Sequence, residues 1–300
     1  PYRHPDLDRM ASQADLLLLY RVPANRQVLR VLDRAIAAGV GRIGLVDDLI
    51  FRSEGELVPT FVAGLEQRAL WQEGADRYAS VLALCDEVLA SSPELVAEVE
   101  QLGVASYLYR DALTAEELAL GQAARAAAAE EPSRKDFRVG YFSGTATHAG
   151  DFARAAGGLA AAMRANARIS LRVLGPLIMP PELAKFSARI SHGPLISWAE
   201  LPARIAAVDL NLAPIDTQSR FSVAKGATKV MEAAACGVAS IGSPTSSHRA
   251  AIASGGGWLA DTEEEWRHCI LEAATGQSDI ASAGARAFQH ITDDYGANSR

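Results

Sequence analysis

Short apolar runs alternate with stretches of helical period along this chain, and this alternation restricts the fold more than any other feature. Leu16–Tyr20 is predicted to be a buried strand, 26–38 a helix and 42–46 a second strand. The same rhythm continues to Ala129 and restarts at Phe137. Repeated strand–helix–strand order indicates parallel sheets with helices on their faces. The sequence therefore predicts an α/β protein.

A polar segment with a proline, EEPSRKD over residues 130–136, separates the two series of elements. We interpret it as a linker between two Rossmann-like domains, residues 1–134 and residues 135–300, because a chain of 300 residues typically forms two domains. Two tandem α/β domains form a cleft where strand carboxyl ends and helix amino ends meet. The ligand site is expected in that cleft.

Charge and composition exclude several classes of protein. Acidic residues outnumber basic ones 36 to 29, which argues against nucleic acid as a partner. The net charge is −8 over residues 1–134 and +1 over 135–300, so the second half is favoured for an anion. Three scattered cysteines and the lack of any long apolar run or signal-peptide core predict a cytoplasmic protein with reduced thiols.

Several familiar cofactor signatures are missing. No glycine-rich dinucleotide fingerprint follows a strand, and there is no Walker A pattern. The histidines and cysteines have no metal-ligand spacing, so no metal site and no bound cofactor are predicted.

The segment FSVAKGATKVMEAAACG, residues 221–237, is the most informative. It holds Lys225 and Lys229, two of only four lysines in the chain, followed by Glu232. On one continuous helix from Ala224 these three side chains share a face. Two lysines at a helix amino end suit a diphosphate, and the carboxylate suits ribose hydroxyls. The alternative is a solvated helix face with one Lys–Glu pair.

A second candidate is the loop YFSGTATHAGDF, residues 141–152, between a strand and a helix. Gly144 and Thr145 offer backbone N–H groups near the helix start, and His148 can donate to the same anion. The alternative is an ordinary turn with an aspartate near the helix N-cap.

A third candidate is RIGLVDDLIF, residues 42–51, where Asp47 and Asp48 follow a strand. Adjacent carboxylates at a strand end face the cleft of an open α/β sheet, where they position an acceptor hydroxyl or bind a metal ion. A helix cap with a solvated acid is the alternative. Arg21 ends the first strand in the same way, and its alternative is a surface arginine.

Taken in order, GYFSGTATHAGDF, ISWAELPARIAAVDLNLAPI and AKGATKVMEAAACGVASIGSP resemble the C-terminal domain of family-4 retaining glycosyltransferases of the GT-B fold. YRVP and GLVDDLIF resemble the N-terminal domain of a bacterial branch that builds surface polysaccharides. The resemblance covers residues 15–295, and its motifs are specific as a set and weak singly.

The resemblance implies sugar transfer from a nucleotide-diphosphate donor to a hydroxyl, with retention at the anomeric carbon and no metal. It places Glu232 on the ribose, Lys225 and Lys229 beside the diphosphate, and Gly144 and Thr145 near the phosphates. The acceptor is a carbohydrate or a glycolipid, which implies peripheral association with the inner face of a membrane. The last helix is expected to pack back on the N-terminal domain.

The sequence also departs from the family. The family's first glutamate corresponds to Ala224, so Lys225 or loop backbone groups must replace it. The first domain is short, and either it is reduced or its start lies upstream of this sequence. Two further functions stay open: a nucleotide-sugar 2-epimerase on the same fold, and a non-catalytic module that binds a nucleotide or a carbohydrate.

Overall fold

A computed structural model describes residues 4–54, 57–59, 62, 64–130, 134–145 and 149–296. The chain forms two compact units. The first unit comprises the chain up to Arg110 together with Ser219–Gly226, and the second comprises Asp111–Gln218 and the chain from Ala227 onward. Both units are thus discontinuous in sequence.

The described residues form ten strands and twelve α-helices. The strands are β1 Leu16–Tyr20, β2 Gly41–Val46, β3 Glu87–Ala90, β4 Ala105–Leu108, β5 Phe137–Phe142, β6 Ile169–Leu174, β7 Ile190–Gly193, β8 Leu210–Ala213, β9 Ser240–Gly242 and β10 Gly257–Leu259. The helices are α1 Leu7–Gln13, α2 Arg26–Ala37, α3 Leu65–Leu82, α4 Pro93–Glu100, α5 Ala115–Ala129, α6 Ala149–Ala165, α7 Leu201–Ala206, α8 Arg220–Val223, α9 Thr228–Ala235, α10 Ser246–Ile252, α11 Glu263–Thr275 and α12 Ile280–Asp294. A 3-10 helix spans Pro181–Arg189.

The first unit has a four-stranded parallel sheet in the order β1-β2-β3-β4. One face carries Gly44, Val88 and Ala90 and is buried against α3 and α4. The register places Leu18 and Tyr107 on the opposite face, where both are more than half exposed. The core of this unit therefore lies on one side of its sheet.

The second unit has a six-stranded parallel sheet in the order β10-β9-β8-β5-β6-β7. On one face, Val139, Leu171 and Leu212 pack with α6 and α11, including the buried Trp266. On the other face, the strands pack with α7, α9, α10 and α12. Helices therefore cover this sheet on both faces, as is usual for parallel sheets.

The domain boundary differs from the one expected at residue 134, because α5 belongs to the second unit. A capping box between Thr114 and Glu117 starts this helix, which packs on α7 and α9. The contact with α9 is close, since a Cβ built on Gly121 would lie 2.6 Å from the Ala235 carbonyl oxygen. The helix α12, which was expected to reach the N-terminal domain, contributes Ala287 and Ile291 to the core of the second unit.

The structure was searched for membrane-spanning helices and for clusters of metal-binding side chains. No helix in the described part of the chain is long and apolar enough to cross a membrane. Within the same residues, no group of three or more histidine, cysteine or acidic side chains is arranged to hold a metal ion.

Candidate active site

In the first unit, two neighbouring strands bring the predicted acidic pair next to Arg21. β1 and β2 are parallel with Tyr20 opposite Leu45, so the residues that follow each strand lie side by side. The Tyr20 hydroxyl donates to Asp47 at 2.8 Å, and Arg21 Nε donates to the other Asp47 oxygen at 2.6 Å. We name Tyr20, Arg21, Asp47, Asp48 and Lys225 the acidic cluster.

Arg21 adopts an unusual backbone conformation within this cluster. Its φ of 49° is the only positive φ among the described residues other than glycine. Such a conformation is unfavourable for a long side chain and is held by its surroundings, often at functional sites. Burial alone would lower the pKa of Arg21, but the hydrogen bond and charge of Asp47 outweigh it and raise that pKa. Arg21 is therefore a fixed cation.

Asp48 is the more buried of the two carboxylates. Its Oδ1 accepts from the Leu49 N–H at 3.0 Å, and its Oδ2 lies 3.8 Å from an Arg21 nitrogen. Burial raises the pKa of Asp48 above its ordinary value, against the opposing positive charges of Lys225 and Arg21. A carboxylate with a raised pKa and two cationic neighbours can accept a hydrogen bond from a sugar hydroxyl.

The continuous helix expected from Ala224 is broken in the structure. Helix α8 ends at Val223 and α9 begins at Thr228, with Gly226 between them. Glycine disfavours helix, and the Ala224 carbonyl accepts a hydrogen bond from the Ser92 hydroxyl at 2.7 Å. Lys225 therefore lies in the first unit, where its charge acts on Asp48, whereas Lys229 and Glu232 lie in the second.

In the second unit, Lys229 and Glu232 lie on the same side of α9. The Asn211 side chain, which follows Leu210 in β8, donates to the Lys229 carbonyl at 3.2 Å and to the Ser240 hydroxyl at 3.0 Å. These bonds fix the first turn of α9 against strands β8 and β9. Lys229 is close enough to Glu232 for its charge to oppose the rise in the pKa of that carboxyl.

Glu232 lines a small pocket. The pocket has a volume of ≈ 40 Å³ and is formed by α5, α7 and α9, with Glu117 on the opposite wall. The rest of its lining is mostly apolar: Leu113, Leu120, Trp198, Leu201, Pro202 and Ile205. Burial raises the pKa of Glu232, Lys229 opposes this rise and Glu117 adds to it. No described residue forms a hydrogen bond with the Glu232 carboxylate, so its oxygens can accept from a ligand.

The predicted phosphate loop follows β5. Ser143 is buried, and its hydroxyl donates to the Thr145 carbonyl at 2.9 Å. Gly144 and Thr145 are exposed, and a Cβ on Gly144 would meet no neighbour. His148 lies outside the described residues. Gly175 follows β6 with a φ of +87°, and a Cβ there would lie 1.8 Å from the Ser143 carbonyl oxygen, so only glycine fits.

An ionic group at the carboxyl ends of the strands in this sheet was not predicted from the sequence. Arg154 Nε is buried, has no hydrogen-bond partner among the residues that the structure describes, and lies 3.9 Å from an Asp216 oxygen. Its guanidinium also lies 3.9 Å from Asp261, which accepts from the Thr217 hydroxyl at 2.7 Å. The spacing of Asp151 and Arg154 on one helix was the available sequence signal, since the Asp216 N–H donates to Asp151.

His248 is a further buried group that the sequence analysis did not identify. Its Nδ1 lies 3.1 Å from the Ser243 carbonyl oxygen, at the end of β9. Burial lowers the pKa of His248 to about 4, and the charge of Lys229 acts in the same direction. His248 is therefore neutral at neutral pH and adds no charge near Lys229.

Comparisons with known proteins identify the fold. No protein-family model and no curated protein matches the sequence. Among solved structures, Anabaena HepE in complex with UDP aligns with a TM-score of 0.65 and 13% identity over 97% of this chain and 77% of that one. The sucrose-phosphate synthase of Thermosynechococcus elongatus aligns with a TM-score of 0.64 and 14% identity over 95% and 70% of the two chains.

A third similar structure is the trehalose 6-phosphate synthase of Burkholderia multivorans. It aligns with a TM-score of 0.63 and 11% identity over 96% of this chain and 69% of that one. The chain has the GT-B fold of two Rossmann-like units. The predicted fold class, two parallel sheets with helices in an α/β arrangement, is confirmed.

Proposed function

We propose that this protein is a glycosyltransferase that moves a sugar from a nucleotide-diphosphate donor to a hydroxyl acceptor. The observation that carries the proposal is the placement of Lys229 and Glu232 on one turn of α9, with Glu232 lining a pocket in the second unit of a GT-B fold. HepE, which shares this fold, is in complex with UDP, and further structures of it contain UDP with glucose or UDP-glucose. A uridine nucleotide is therefore the first donor to test.

The pocket at Glu232 suits the ribose better than the base. Its volume of ≈ 40 Å³ has room for about one water-sized group, since one water occupies about 30 Å³ of liquid. A hydroxyl group fits this space and can donate to the Glu232 carboxylate. The exposed Trp198 ring at the pocket rim offers a flat apolar surface for a base.

Lys229 is the proposed partner of the diphosphate. As the glycosidic bond breaks, the leaving diphosphate gains negative charge, and a fixed cation stabilises that charge most in the transition state. The backbone N–H groups at the amino end of α9 add partial positive charge. The loop of Gly144 and Thr145 supplies further backbone donors. The proposal requires no metal ion, so activity should persist in excess EDTA.

The finer features of the proposal follow the family resemblance. The transferase retains the anomeric configuration, as family-4 enzymes do, and its acceptor is a carbohydrate or glycolipid in polysaccharide synthesis. The acidic cluster of the first unit is the proposed acceptor site, with Asp48 as the hydrogen-bond acceptor for the attacking hydroxyl. We place the protein in the cytoplasm, at the inner face of the membrane when its acceptor is a lipid.

Calorimetric titration with UDP and UDP-glucose tests the donor site. Lys229→Met and Glu232→Gln should each weaken UDP binding at least tenfold, because one loses the cation and the other the ribose acceptor. Lys185→Met and Glu264→Gln are the matched controls, since both side chains are exposed and lie away from α9. Equal affinities in all four variants would exclude this site.

Product analysis separates the enzyme classes. Incubation with UDP-glucose alone should give slow hydrolysis, and an added acceptor should give a glycoside of retained configuration. Formation of a new nucleotide sugar would instead identify an epimerase, and nucleotide binding without turnover on any acceptor would indicate a binding module.

A further inference from the structure

A short segment from the second half of the sequence completes the first unit. We name Ser219–Gly226 the strap, because the chain leaves the second unit at Gln218, packs in the first unit, and returns to the second at Ala227. The strap contains helix α8, whose N-cap Ser219 accepts from the Ser222 N–H at 3.3 Å. Phe221 and Ala224 are buried in the core of the first unit.

Three separate interactions hold the strap in place. Arg220 forms an ion pair with Glu98 of α4, and Glu98 is buried with a second cation, Arg52, 3.4 Å from its other oxygen. The Phe221 ring lies edge-to-face on the Trp71 ring, with centroids 5.7 Å apart.

The third interaction is a backbone anchor from Ser92. Its buried hydroxyl donates to the Ala224 carbonyl at 2.7 Å and also caps α4. The ion pair, the aromatic contact and the hydrogen bond act on Arg220, Phe221 and Ala224 of the strap, so the backbone that leads to Lys225 is held by three different contacts.

The consequence is the location of Lys225. Its ammonium nitrogen lies 5.6 Å from the centre of the Phe221 ring, in the same unit as Asp48, and its positive charge lowers the pKa of Asp48. We propose that the strap holds Lys225 as a positioning residue for Asp48, so that Lys225 serves the acceptor hydroxyl and not the donor diphosphate. The role of Lys225 in catalysis rests on the proposed glycosyl transfer. The effect of its charge on Asp48 involves only residues of the first unit.

The charges around Asp48 are few enough to allow a direct test. Among the described residues, the cations that act on Asp48 are Arg21 and Lys225 and the anion is Asp47, whose carboxylate accepts from the Tyr20 hydroxyl. Because Lys225 lowers the pKa of Asp48, Lys225→Met should raise that pKa, and Lys225→Arg should restore it. Carbon-13 NMR of labelled aspartate, with Asp48→Asn for assignment, measures the shift without any substrate.

A second variant tests whether the strap positions Lys225. Arg220→Gln leaves Glu98 paired with Arg52 and should raise the Asp48 pKa less than Lys225→Met does. An unchanged Asp48 pKa in both variants would overturn the inference, and intact circular dichroism spectra establish that they are folded.

Substrate measurements then separate the two claims. In Lys225→Met, the acidic limb of the pH profile of kcat/KM for the acceptor should move to higher pH, while the Kd for UDP should change less than twofold. A tenfold rise in the Kd for UDP with an unmoved pH profile would place Lys225 on the diphosphate and overturn the inference. A protein that binds no nucleotide would refute the proposed function, while the NMR result would still decide the Asp48–Lys225 pairing.

Discussion

The sheets of the two units are both parallel, yet the described helices cover the first on one face and the second on two. In the second unit, Leu171 is buried beneath α6, and the opposite face packs with α7, α9 and α12. In the first unit, Leu18 is 62% exposed and Tyr107 is 53% exposed. Parallel sheets are normally buried on both sides. The second unit is therefore expected to supply most of the stability of the chain.

The largest expected difference in stability between the two units comes from matched substitutions of one leucine in each sheet. Leu171→Asp would bury an unpaired carboxylate in the two-sided core and should cost ~5 kcal/mol or more, enough to unfold the second unit. Leu18→Asp places the same charge on the open face and should change the free energy of unfolding by about 1 kcal/mol or less. Urea unfolding followed by circular dichroism measures both. Comparable losses would show that the face carrying Leu18 is covered in solution.

A substitution in the strap is expected to give the next largest loss of stability. Phe221→Ala should destabilise the first unit by about 3 kcal/mol, because it removes a buried ring and its contact with Trp71. Hydrogen exchange should then accelerate in α3 and α4, although the substitution lies more than 100 residues downstream in sequence. Phe186→Ala, in the second unit, is the control and should leave α3 and α4 protected. Faster exchange confined to the second unit would contradict the assignment of the strap.

Much of the architecture could be predicted from local pattern. The apolar runs predicted β1, β2 and β5 at or within one residue of their observed bounds, and consecutive parallel strands place Arg21 beside Asp47. The strand Ile190–Gly193 was missed because its sequence, ISHG, is polar and half exposed at the sheet edge. Apolar periodicity reports burial, so an edge strand with little burial leaves no signal.

The strap could not be predicted in this way. Local spacing favoured a helix through Lys225 and Lys229, whereas the backbone there is set by Ser92, which lies 132 residues from Ala224 in sequence. Gly226 was the local sign of a break. The observed division into units differs from the predicted boundary for a related reason, since the polar linker at 130–136 carries no information on how Gly121 lets α5 approach α9.

Acidic pH should affect the second unit through His248. The native pKa of about 4 lies below the ordinary value of 6.5, so the unfolded chain binds the proton first and stability falls as pH drops from 6.5 to 4. The loss amounts to about 3 kcal/mol. Thermal melts should show it in the parent and in the exposed control His268→Gln, and much less of it in His248→Gln. Asp151 and Lys229 are the charged groups nearest His248, and neither is altered in these variants.

Glu232 should give the smallest effect on stability, and one of opposite sign to its effect on binding. Because burial raises its pKa, the native state holds the proton more tightly than the unfolded chain, and stability falls as pH rises through the ordinary range toward the raised value. Glu232→Gln removes that cost, so its Tm should match the parent at pH 4 and exceed it at pH 8, while UDP binding weakens. A Tm gain at pH 8 together with weaker binding is the behaviour of a carboxylate kept for a ligand at the expense of stability. A Tm loss at pH 8 would show instead that Glu232 stabilises the second unit, which would contradict its assignment as a carboxylate kept for a ligand.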